Sequence, residues 1–128
     1  MMSFVLWVAL GSALGGGCRF LVSGLVARRF GETFPWGTMA VNVTGAYGIG
    51  FLSVMAQSGG IFDRPEAKLL VVTGFLGSYT TVSSFSLQTL ALAQDGQFGR
   101  AAANVILSLG LCLGAVAAGI ASMPLVMQ

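Results

Sequence analysis

Thr73-Gly74-Phe75-Leu76-Gly77-Ser78-Tyr79-Thr80-Thr81-Val82-Ser83-Ser84-Phe85-Ser86 lies inside a segment that is otherwise apolar, with Leu69 to Val72 before it and Leu87 to Ala93 after it. From Ser78 to Ser86, seven of nine residues carry a hydroxyl. Glycine weakens a helix, and hydroxyl side chains offer the backbone competing partners. Irregular backbone at membrane depth survives only where protein or a water-lined cavity satisfies it. The stretch therefore predicts a membrane helix broken near its middle, at about 74–83, with the break serving an ion.

The surrounding composition sets the solvent. The chain has 128 residues, 55% hydrophobic and 8% charged, with a mean hydropathy of +0.88. Soluble domains carry about 25% charge, so this is an integral membrane unit, expected as one domain over 1–128. No basic cluster points to nucleic acid. Histidine is absent, which removes the usual proton switch near neutral pH. Cys18 and Cys112 sit in apolar runs without metal-ligand spacing and read as packing residues.

A spanning helix needs about 20 mostly apolar residues. Four segments qualify, at about 4–27, 36–56, 67–93 and 101–122. The first lacks a basic residue before its apolar run and outlasts a signal peptide, so it is expected to stay as a membrane helix. Arg28-Arg29 ends it. Pro35 suits a helix start, Trp36 suits an interfacial anchor, and Pro124 is expected to mark the end of the fourth helix. The expected fold is all-α, with short loops and both termini on one side of the bilayer.

Orientation follows the lysine and arginine bias between loops. Arg28, Arg29 and Arg100 fall on one side; Arg64, Lys68 and the terminal amine fall on the other. The bias is nearly nil. This leaves open both a fixed orientation set by weaker cues and insertion in both directions, which would allow an antiparallel homodimer. Gly11 and Gly15, then Gly110 and Gly114, stand at GxxxG spacing, and Gly45, Gly48 and Gly50 enrich the second segment. Together they favour a close-packed bundle and an oligomer.

Polar residues inside the spans are the candidate site. Arg19 is the charge placed clearly within a span, where it either attracts an anion into a vestibule or snorkels toward the interface. Thr38 and Asn42 share a helix face, as do Asn104 and Ser108, and Ser84 and Gln88, with Phe85 nearby. These stripes offer neutral N–H and O–H donors, which suit an anion and also serve as interhelical glue. Enzyme signatures are missing: the serines have no base to activate them, and no Lys follows the glycines as in a P-loop.

The motif Gly74-x-x-Gly77-x-x-Thr80-Thr81-x-Ser83-Ser84-Phe85 resembles that of the Fluc/CrcB fluoride channels. So do Trp36-Gly37-Thr38 with Val41-Asn42 and Gly45, the Gly11, Gly15 and Cys18-Arg19-Phe20 context, and Arg100-Ala101 with Asn104 and Ser108. The resemblance covers nearly the whole chain. It implies an antiparallel, dual-topology homodimer in the plasma (inner) membrane, with fluoride pores along the subunit interfaces. It also implies a structural sodium ion (Na+) where the two breaks meet, held by the backbone carbonyls of Gly77 and Thr80. Asn42, positions 82 and 85, and Ser108 would line the pore, joined by Thr38, Ser84, Gln88 and Asn104; Arg19 would guard the vestibule. The chain departs from the family pattern with Val82 for a phenylalanine, Asn104 for a frequent tyrosine and Gln88 for a frequent acid.

The resulting expectation is a passive fluoride channel, not an enzyme, that exports cytoplasmic fluoride and so reduces its toxicity. A small dual-topology drug or cation exporter is one rival, and it would need a carboxylate within the membrane. A non-transporting membrane subunit is the other.

Overall fold

The computed structural model describes residues 2–57 and 59–126. The terminal amine counted among the loop cations lies outside them. Four helical spans are long and apolar enough to cross a membrane. Helix α1 covers Met2–Phe30 and α2 covers Trp36–Gln57. A short 3₁₀ turn, Gly60–Asp63, leads into the third span. That span begins as α3, Pro65–Lys68, widens into a π-helix, Leu69–Leu76, and closes its first half with α4, Gly77–Tyr79. It resumes as α5, Val82–Gln94, and the chain ends in α6, Phe98–Val126.

The interruption is narrower than the glycines and hydroxyls suggested. Gly74 to Tyr79 and Val82 to Ser86 are helical; only Thr80 (φ −82°, ψ 156°) and Thr81 (φ −150°, ψ 120°) are extended. Glycine lowers helix propensity by about 1 kcal/mol, which tertiary packing offsets here. Gly74 backs onto the Val8 carbonyl and the Gly11 Cα of α1. The helices also run further than their expected ends, and α6 continues past Pro124 to Val126. A proline this close to a C-terminus removes a single helical hydrogen bond.

Packing is set by backbone approach more than by large side chains. A Cβ at Gly15 would collide with the Phe75 carbonyl, so α1 lies directly on the π-helical half of the third span. A Cβ at Gly50 would collide with the Val116 carbonyl, which joins α2 to α6. The expected Gly110–Gly114 contact is not made within the chain: nothing lies within 4 Å of a Cβ at either position. The core is small, with Val41 and Asn104 its largest fully buried side chains. Much of the apolar surface faces outward, including Phe20 and Val82, each 77% exposed. That distribution suits a chain surrounded by lipid or by another subunit.

Candidate anion path at the third-span interruption

The interruption begins where backbone N–H groups change partners. In a continuous helix the Thr81 N–H would reach the Gly77 carbonyl, four residues back. It donates instead to Asn42 Oδ1 at 2.7 Å, while Asn42 Nδ2 donates to the Thr81 carbonyl at 2.9 Å. One amide side chain on α2 thus brackets both polar groups of one extended residue. Next, the Ser84 N–H turns from the Thr80 carbonyl to Thr81 Oγ1 at 3.1 Å, so Thr81 caps α5. The carbonyls of Gly77 and Thr80 are therefore among those at the break that lose the donors a continuous helix would give them.

Helix α2 holds the other side of the interruption as well. The Thr44 hydroxyl donates to the Ala40 carbonyl at 2.7 Å, which leaves its oxygen to accept from the Tyr79 hydroxyl at 2.8 Å. Tyr79 is buried and its ring stacks on Phe75, with centroids 5.8 Å apart. Thr80 Oγ1 donates to the Leu76 carbonyl, which tightens the end of α4.

A cavity of about 990 Å³ opens at the end of the bundle where α1 meets α2 and α5 meets α6. It runs inward to Thr81 of the interruption, and Arg19, Thr38, Ser84 and Gln88 all line it. Glu32, Asp95 and Arg100 stand at its outer rim and are exposed. Arg100 Nη1 donates to Gln97 Oε1 at 3.1 Å. Arg19 is half-buried in the cavity wall, so its positive charge faces the same space as the neutral donors.

The remaining candidates separate from this cavity. Asn104 and Ser108 are buried between α6 and α5. There Asn104 Nδ2 donates to Thr89 Oγ1 at 2.8 Å, and the Ser108 hydroxyl makes a longer bond to Asn104 Oδ1 at 3.4 Å. The Thr89 hydroxyl donates to the Phe85 carbonyl at 2.7 Å. Phe85 is half-buried, whereas Val82 points outward. Gly77 is exposed and Thr80 is half-buried. The structure therefore gathers the candidates into three groups: the cavity wall, the Asn42 bracket, and the Asn104–Ser108 chain. Val82 joins none of them within this chain.

Thr81, Thr89 and the Thr44–Tyr79 pair were not among the expected site residues. Thr81 was legible as a cap, since a threonine precedes the restart and the Ser84 N–H falls three residues later. The partners of Thr89 and Tyr79 were not, because they come from other helices.

Comparison with known proteins fits this arrangement. Residues 6–120 match the model of the CrcB-like protein family, described as Camphor Resistance (CrcB). A protein named fluoride-specific ion channel FluC 2 from Rhodopseudomonas palustris is 61% identical over 119 residues, covering 92% of this chain and 91% of its own. One with the same name from Bradyrhizobium diazoefficiens is 56% identical, covering 93% and 88%. A fluoride-specific ion channel FluC from Opitutus terrae is 54% identical, covering 90% and 88%. A match across most of both chains at these identities, with the interruption and its donors in place, means that the chain belongs to the CrcB-like family.

Proposed function

We propose that the chain is a fluoride-selective passive channel of the plasma membrane that lets cytoplasmic fluoride out. The observation that carries this is the cavity wall. An apolar bundle places Arg19 in the cavity wall beside neutral donors, inward of the exposed rim charges Glu32, Asp95 and Arg100, on a path that reaches the interruption. The naming of its close relatives as fluoride-specific ion channels supports the choice of ion.

The path works by exchange of hydration. Fluoride is small and strongly hydrated, so donors must replace its water shell. Arg19 draws the anion into the vestibule by charge. Hydroxyl and amide donors of Thr38, Ser84 and Gln88 then take over without a full charge that would trap it. The positive edge of the Phe85 ring would add a further contact for the anion beyond the cavity wall. Hydrogen fluoride enters cells neutral and ionises inside, so a passive exit suffices. A cation exporter fits poorly, because the spans hold a single carboxylate, Glu66, in the first turn of α3.

Completion of the pore requires a second copy. We place Val82 and the open side of the path against an antiparallel partner, with the two interruptions facing each other across a two-fold axis. The Gly77 and Thr80 carbonyls, released from helical bonding, form an oxygen set that fits a hard monovalent cation. Sodium bound there would supply a fixed positive charge that holds the two interruptions together.

Efflux from proteoliposomes, read with fluoride and chloride electrodes, tests the proposal. Rapid fluoride release with chloride retained is expected. Equal release of both ions would reduce it to an anion pore, and release of neither would sink it.

A further inference from the structure

We propose that Thr89 is a positioning residue of the anion path, acting through Asn104. This rests on reading the buried Asn104–Ser108 chain, which lies outside the cavity wall, as a further stretch of the proposed anion path. The Thr89 hydroxyl hydrogen is committed to the Phe85 carbonyl at 2.7 Å, so its oxygen is left as an acceptor. That acceptor takes a hydrogen from Asn104 Nδ2 at 2.8 Å. The pairing settles which way the Asn104 amide faces. Its nitrogen lies toward α5, and its oxygen lies toward Ser108, whose hydroxyl donates to it.

Three consequences follow from that orientation. Asn104 is 2% exposed, so its amide cannot exchange its partners for bulk water. Its second N–H is taken by no acceptor among the described residues and is the donor that the proposal assigns to the anion. The Ser108 bond, at 3.4 Å, is long enough to break cheaply, so its hydroxyl can turn toward the ion. Removal of the Thr89 oxygen frees the amide to rotate and to present its carbonyl, an acceptor, where a donor stood. An anion meets repulsion at that point. The phenylalanine side chain at 85 need not move for this to happen.

Fluoride efflux from proteoliposomes carrying T89V, T89S, N104A and T89V/N104A tests the proposal, with each protein first shown to be monodisperse by gel filtration. T89V is expected to slow efflux about three- to tenfold, the scale of one hydrogen bond. T89S, which keeps the hydroxyl, is expected to restore it to within about twofold of the parent. The double variant should be no slower than N104A, because Thr89 acts through Asn104. If T89V does not fold, T89A takes its place under the same outcomes. Full-rate efflux in T89V with slowed efflux in N104A overturns the positioning role. So does additivity in the double variant, or T89S as slow as T89V. Full-rate efflux in N104A overturns instead the placement of Asn104 on the anion path.

Discussion

Asn42 spends both of its polar atoms on Thr81, so its first task is to hold the interruption open. Asn42→Ala would leave an N–H and a carbonyl without partners inside the bundle. The expected loss is on the order of 2 kcal/mol of stability, read as a lower thermal midpoint in detergent, together with at least tenfold slower fluoride efflux. An unchanged midpoint would show that the bracket contributes little. Val82 presents the opposite case. At 77% exposure it touches little of its own chain, so Val82→Phe should leave the midpoint nearly unchanged. If position 82 faces the path across a subunit interface, the added ring should keep or raise fluoride efflux; a strong loss would place this position elsewhere.

At the scale of the elements, the third span is two helices joined by two extended residues. Its first half is held by α1 through backbone contact, and its second half by the Thr89–Asn104 bond to α6. Gly15 is the tightest test of the first contact. Gly15→Ala drives a Cβ into the Phe75 carbonyl and is expected to cost about 1–3 kcal/mol or to prevent a monodisperse protein. Gly17→Ala, with nothing within 4 Å of the new Cβ, should leave the fold of the protomer intact. Equal behaviour of the two in thermal unfolding would contradict the packing of α1 on the π-helical half. The π-helix matters here because its wider turn adjusts the register of the span just before Thr80.

For the molecule as a whole, the proposed sodium site between two copies can be tested directly. If sodium joins two interruptions, replacing it with a large organic cation throughout purification should lower the thermal midpoint and shift the protein toward monomer in native mass spectrometry. Insensitivity of both to sodium would remove the ion from the proposal. Efflux should also differ little between pH 6 and pH 8, because the proposed donors from Thr38 to Asn104 do not titrate in that range. A steep pH dependence would point to proton coupling instead.

Low charge made this a membrane protein, and four apolar segments of spanning length set its spans, because a backbone in lipid must satisfy its polar groups within helices. Local chemistry also marked the third span as irregular, since glycines and hydroxyls are local signals. Their local nature is why the width of the break was overestimated: packing on α1 keeps Gly74 to Tyr79 helical despite weak propensity. The polar stripes were legible as candidates, but their partners were not. Asn42 meets Thr81 across 39 residues, and Asn104 meets Thr89 across 15, through contacts that depend on how helices cross. The sequence by itself determined the solvent, the spans and the kind of donors. Only the tertiary structure decided which donors remain free for an ion, because a hydrogen bond already made inside the bundle cannot also be offered to the path.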